Sequence, residues 1–240
     1  MLTRDRLLLI QNKFQTTSLN VLREYAQHLF LASLYRTKQA PLILFKGGTA
    51  YRIAYKSPRF SEDLDFSAGN ITTREIEKAI FAVIEDLANE GLNCEIEESK
   101  ETTGGYLARL HVSLGPNKTP IDIQISQRKK MGKDYDVFDI QNEYLPTYQV
   151  LLLPAHEMME EKIQAALTRS KPRDFYDIYF LLKNGLLDYE LRNQLSKVKE
   201  ILINKKVKFA DELSLFLPKS MKQVAESFPK ALLSELEKFL

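Results

Sequence analysis

Cys94 is the only cysteine in this chain. No intrachain disulfide can form, no cysteine cluster can hold zinc, and a reducing compartment is the natural setting. Long hydrophobic runs are missing as well. Leu7–Ile10 is too short for a signal-peptide core, and no later run approaches the roughly 20 apolar residues of a membrane-crossing helix. A cytoplasmic protein, neither secreted nor membrane-embedded, is expected. There is no large excess of one charge either: the net charge of +2 permits a polyanionic partner without demanding one. The histidines His28, His111 and His156 are too scattered to suggest a ligand set. Internal repeats and low-complexity tracts are absent, and no Gly, Pro or Ser run marks a linker.

What is present is an ordinary globular composition, 44% apolar and 28% charged over 240 residues, enough to bury a sizeable core. From Leu22 the residues Tyr25, Ala26, Leu29, Phe30 and Leu34 recur at helical spacing, with Ser33 the one polar member of the stripe. Leu42 to Phe45 reads as a buried strand running into the turn Gly47-Gly48, and Thr49 to Tyr55 as the helix that follows. After Ser57-Pro58 a second strand spans Asp63 to Ser67. Thr72 and Glu75 form a capping box for a helix with the stripe Ile76, Ala79, Ile80, Val83, Ile84 and Leu87, stopped at Gly91. Three alternating segments follow: Leu92/Cys94/Ile96, Tyr106/Ala108/Leu110/Val112, and Ile121/Ile123/Ile125. From Pro154 onward the periodicity is helical. The expected architecture is a mixed α/β part over residues 1–150 and a helical part over residues 151–240.

The chemistry concentrates in a few places. On a strand from Asp63 to Ser67, period two places Asp63 and Asp65 on one face and Leu64 and Phe66 on the other. Two neighbouring carboxylates call for a cation, and hard oxygen ligands suit Mg²⁺ or Mn²⁺. Asp134 and Asp136 repeat the same spacing elsewhere, so the pattern needs its neighbours. Upstream, Lys46-Gly47-Gly48-Thr49 stands after a strand and before a helix, where bare backbone amides can receive a phosphate or simply make a tight turn. In Arg59-Phe60-Ser61-Glu62, Arg59 could offset phosphate charge or pair with Glu62. In Ile121–Ile125 the isoleucines face inward while Asp122 and Gln124 face outward. If that strand lies beside Asp63–Ser67, Asp122 becomes a third carboxylate, able to hold metal or take the proton of an attacking hydroxyl. Lys162 and Arg169 share a helix face and lead into Arg173-Asp174-Phe175-Tyr176-Asp177. Lys162 could meet phosphates as a point charge, and Asp174 with Asp177 could equally form a surface ion-pair set. Tyr176, Tyr179 and Phe180 are assigned to core. Basic runs at Arg128, Lys129, Lys130 and Lys133 and at Arg169, Lys171 and Arg173 are candidate RNA patches or plain solvated loops.

Taken in order, KGGTAYRIAYKSPRFSEDLDFS, PIDIQIS and EEKIQAALTRSKPRDFYDIYFLL resemble the nucleotidyltransferase toxins of the AbiEii/AbiGii type, including the related MenT toxins, over about residues 40 to 185. The resemblance implies a polymerase-β-like nucleotidyltransferase core, a helical C-terminal part, and an active site in the cleft between them. It implies that Lys46, Gly47, Gly48, Thr49, Arg59, Ser61 and Lys162 bind the nucleoside triphosphate and that Asp63, Asp65 and Asp122 hold Mg²⁺. Lys162 and Asp177 would join those carboxylates as catalytic residues, although the Asp122 position varies among such proteins. It further implies the toxin of a type IV toxin-antitoxin pair, which transfers NMP to an acceptor hydroxyl, in some members at the 3′ end of tRNA, and is opposed by a separate antitoxin. Two other readings of the residues stay open: a nucleotide-sugar glycosyltransferase using Asp-x-Asp, and a non-catalytic nucleotide- or RNA-binding member of the same fold.

Overall fold

The computed structural model describes residues 2–128, 134–204 and 207–240. Lys129, Lys130 and Lys133 of the first basic run lie outside them. The chain forms two compact units. The first contains the residues up to Lys56 together with Phe60–Leu153; the second contains Ser57–Arg59 together with Pro154–Leu240.

The first unit begins with α1 (Arg4–Phe14), capped by the Thr3 hydroxyl, and α2 (Ser18–Leu34), capped by Thr17. Both caps satisfy an amide that the first helical turn would otherwise leave unbonded. Then come β1 (Ile43–Lys46), α3 (Gly47–Ile53), β2 (Leu64–Gly69) and α4 (Thr73–Asn89). The capping box expected at Thr72 and Glu75 is present. Five strands complete the unit: β3 (Asn93–Thr102), β4 (Gly105–Leu114), β5 (Asn117–Arg128), β6 (Asp136–Ile140) and β7 (Tyr148–Leu152).

These strands form one mixed sheet in the order β3-β4-β5-β2-β1-β7-β6. β2 runs antiparallel to β1 and parallel to β5, and β1 runs parallel to β7. Leu64, Phe66, Ile123 and Ile125 are buried on one sheet face, where Phe66 meets Phe30 of α2 and Phe45 of β1 at ring separations of 6.3 and 5.5 Å. Each such buried aromatic contributes roughly 1.5–3 kcal/mol relative to exposure. α2 packs against α1, α4 and strands β4, β5 and β7, which is why its burial extends well beyond the one stripe seen in the sequence.

Two strands escaped the sequence reading. β6 and β7 are five residues each, and only the alternation Tyr148/Val150/Leu152 announced β7. The strand expected at Leu92/Cys94/Ile96 is present as β3, but its alternation does not carry through to burial. β3 is an edge strand whose register shifts between Ile96 and Glu98, and Ile96 is 41% exposed. An edge strand covered on fewer sides can carry charge and a bulge where a central one cannot.

The second unit is helical: α5 (Ala155–Thr168), α6 (Pro172–Lys183), α7 (Arg192–Asn204), α8 (Phe209–Phe216), α9 (Lys222–Glu226) and α10 (Phe228–Phe239). Pro172 opens α6 at a position where its missing amide hydrogen is harmless. Phe228 packs against Tyr176, Tyr179 and Phe209 with centroids 5.0–5.6 Å apart. Tyr176, Tyr179 and Phe180 are therefore core residues, as expected. The architecture as a whole is the α/β one read from the sequence, a mixed sheet with helices followed by a helical part.

Candidate active site

In the first unit the carboxylates and the glycine turn come together. β1 and β2 pair in antiparallel register with Lys46 directly opposite Asp65. The chain turns from β1 into α3 at Gly47, whose φ of +82° lies in the left-handed region. A Cβ built there would stand 2.3 Å from Asp65 Oδ2, so the Asp65 carboxylate rests against bare backbone that no other residue type supplies. Thr49, fully buried, donates its hydroxyl to the backbone carbonyl of Asp63.

The segment leading into β2 is fastened from α2 as well. Gln27 Nε2 donates to the carbonyls of Ser61 and Glu62, both at 3.1 Å. Arg23 lies 3.4 Å from a Glu62 carboxylate oxygen and donates to Thr119 Oγ1 at 3.1 Å. Burial pulls the Arg23 guanidinium below its ordinary pKa, against the attraction of Glu62 and Asp63. Phe60 beneath this segment is 2% exposed and stacks under Arg52, whose guanidinium carbon is 3.9 Å from the ring centroid. The Ser61–Glu62 segment that leads into Asp63 is thus fastened by two groups the sequence reading had not singled out, Arg23 and Gln27. They sit one helical turn apart on α2 among other buried polar side chains, Asn20, Glu24 and His28, and nothing in the helix pattern sets them apart from these.

β5 does lie beside β2, with Asp65 opposite Gln124 and Leu64 opposite Ile123. The pairing puts Asp122 and Gln124 on the sheet face that carries Asp65. Both Asp122 oxygens, however, accept from Arg109 across the β4–β5 ladder, at 2.6 and 2.7 Å. Those hydrogen bonds, with the Asp122 charge, raise the Arg109 pKa further. Among the described residues no group of three or more His, Cys, Asp and Glu side chains is arranged to hold a metal ion. Asp136, half of the second Asp-x-Asp, begins the edge strand β6. His28 Nδ1 bonds the Tyr148 hydroxyl at 2.7 Å and His111 Nε2 bonds Glu97 at 2.6 Å.

The second unit gathers five charges. Lys162 on α5 lies 3.3 Å from Asp174 and 2.9 Å from Asp177 on α6. Arg59 forks onto both Asp177 oxygens at 2.8 and 2.9 Å, and Arg169 does the same to Asp174 at 2.7 Å for each bond. This is no surface ion-pair set: Asp174, Asp177 and Arg59 are at most 2% exposed and Lys162 is 8% exposed. Arg59 pairs with Asp177, while Glu62 goes to Arg23. Burial works to lower the Arg59 pKa, but the charge and hydrogen bonds of Asp177 win and raise it. For Asp174 burial is likewise the largest influence and would raise its pKa, yet the hydrogen bonds and charges of Arg169 and Lys162 hold it below the usual carboxylate range.

A mixed sheet bearing paired aspartates at a strand start, preceded by a strand-glycine-helix turn and followed by a helical unit, describes a nucleotidyltransferase fold. Solved structures agree. JHP933 from Helicobacter pylori matches with a TM-score of 0.65 at 18% identity, over 93% of this chain and 94% of that one. MenT4, a nucleotidyltransferase toxin from Mycobacterium tuberculosis H37Rv, matches with a TM-score of 0.65 at 18% identity, over 100% of this chain and 93% of that one. Among curated proteins no sequence matches the chain. The profile of the family described as nucleotidyl transferase AbiEii toxin, type IV TA system, matches residues 29–237. The chain belongs to that family of nucleotidyltransferase toxins.

Proposed function

We propose that this protein is a divalent-metal-dependent nucleotidyltransferase that transfers NMP from a nucleoside triphosphate to the 3′ hydroxyl of an RNA, with tRNA as the acceptor class. The observation that carries this reading is the Asp65 carboxylate resting on Gly47, with Asp63 tied to Thr49. The residues fit Mg²⁺ or Mn²⁺: Mg²⁺ is commonly held by one or two carboxylates, with substrate phosphates and water completing its shell. Asp63 and Asp65 would hold it, and when bound it supplies Lewis-acid stabilisation of charge at the reacting phosphate.

The chain's own residues do the rest. Gly47, Gly48 and Thr49, with Lys46, receive phosphate oxygens on unobstructed amides and a nearby cation. Lys162, its ammonium held in place by Asp174 and Asp177, supplies a fixed positive charge of the kind that binds phosphate. Arg59 and Asp177 act by positioning, since each is taken up by the other. The acceptor hydroxyl oxygen attacks the α-phosphorus as its proton passes to solvent, the bond from the α-phosphorus to the β-phosphate oxygen breaks, and pyrophosphate departs. Little covalent work falls to the protein; orientation and electrostatics supply the catalysis. A separately encoded antitoxin opposes this activity, and the reaction runs in the cytoplasm. No helix among the described residues is long and apolar enough to cross a membrane.

Purified protein incubated with Mg²⁺, α-labelled nucleotide and bacterial RNA should yield labelled RNA, and chelation should abolish it. Labelling by Asp65→Ala equal to the parent's would remove the metal assignment.

A further inference from the structure

Beside the carboxylates, on the same sheet face, an open groove of about 450 Å³ runs over β4 and β5, lined by Thr102, Leu107, Arg109, Gln124 and Ser126 among others. At one end its lining includes Gly104, which has no side chain, next to Gly105, where β4 and β5 approach so closely that a Cβ would lie 1.9 Å from the Ile125 carbonyl oxygen. Gln124 and Ser126 are exposed, and residues two apart on one strand face stand about 6.8 Å from each other. Gln124 is directly opposite Asp65 in the β2–β5 register. The groove therefore starts one strand away from the proposed metal carboxylates, and Arg109 lies on the next strand over, about 10 Å from β2.

On β3, Glu95 pairs with Lys118 and Glu98 with Lys100, and Glu97 hydrogen-bonds His111 Nε2 at 2.6 Å. Asp122 takes Nε and Nη2 of Arg109. A guanidinium gripped at two nitrogens is fixed in plane and retains a further N–H edge, at Nη1, for an anion. A fixed guanidinium followed by an amide and a hydroxyl in a groove open along its length suits the sugar-phosphate backbone of a polynucleotide.

We infer that Arg109, held by Asp122, binds a backbone phosphate of the acceptor RNA in this groove, and that Asp122 is a positioning residue for Arg109 and not a third metal ligand. This rests on the nucleotidyl-transfer reading above and gives that site its acceptor side. Arg109 is 39% exposed, so its replacement leaves the core of the sheet intact.

The test uses the whole chain and fluorescein-labelled bulk tRNA, followed by anisotropy in chelator without nucleotide. Arg109→Ala should weaken binding about tenfold, as expected for a lost charged hydrogen bond, and should lower the salt slope by about 0.7–0.9. Asp122→Ala should weaken binding in the same direction, and the double variant should be no weaker than Arg109→Ala alone, because the two act as one unit. Arg109→Lys should recover only part of the affinity. Direct Mn²⁺ binding to Asp122→Ala should match the parent. Reduced Mn²⁺ binding by Asp122→Ala with unchanged binding by Arg109→Ala would overturn the inference, as would tRNA binding by Arg109→Ala equal to the parent's. The parent assayed in parallel with α-labelled nucleotide separates the two levels: absence of labelled RNA counts against transfer, whereas the anisotropy series alone decides the role of Arg109.

Discussion

Replacing Gly47 with alanine bears directly on whether the glycine turn and Asp65 form one site. At φ +82° an L residue is disfavoured by about 1–2 kcal/mol, which a domain with typical stability can withstand. The added methyl would also lie 2.3 Å from Asp65 Oδ2 and 2.8–2.9 Å from its Cβ and Cγ. Ordinary contact begins near 3.4 Å, so the carboxylate must withdraw by about 1 Å. A misplacement of that size at a reacting centre lowers rates on the order of a hundredfold. Gly47→Ala should therefore lose roughly two orders of magnitude in RNA labelling while its urea midpoint falls only by the equivalent of the backbone term. Asp65→Asn, nearly isosteric, should lose as much activity with the fold undisturbed, and covers the case in which Gly47→Ala unfolds. Labelling by both variants within threefold of the parent would refute the reasoning.

Arg59→Met should destabilise by about 3–5 kcal/mol, because it leaves a buried carboxylate short of its bidentate partner; a urea-unfolding loss under 1 kcal/mol would show that Lys162 alone suffices for Asp177. Thr49→Val removes the hydroxyl bond to the Asp63 carbonyl, at about 1 kcal/mol of stability, and should slow transfer by more than that loss implies; equal effects on rate and stability would make Thr49 purely structural. His28 is buried with its pKa lowered to about 4, chiefly by desolvation, with Glu24 opposing and Lys56 and Arg52 reinforcing. Between pH 6.5 and about 4 the unfolded chain binds this proton and the folded one does not, so stability is lost as pH falls through that window, by roughly 3 kcal/mol at its limit. His28→Gln should flatten the melting temperature over that range, and an unaltered slope would assign the acid sensitivity elsewhere.

Wherever the local pattern alone decided the structure, it was readable. The Thr72/Glu75 capping box, the strand-glycine-helix turn and the alternation around Asp63 and Asp65 each follow from contacts within a few residues, so their spacing in the chain is their spacing in space. Family membership was legible for the same reason, as an ordered series of short motifs. Tertiary structure decided what each charge was for. Asp122 and Arg109 stand 13 residues apart and meet only because β4 and β5 pair in one register. Arg59 and Asp177 are separated by 118 residues, and no local rule could choose Asp177 over the adjacent Glu62. Arg23 and Gln27 gain their role only because the fold places the Ser61–Glu62 segment against them. Sequence settles which groups are available; burial and long-range register determine their partners.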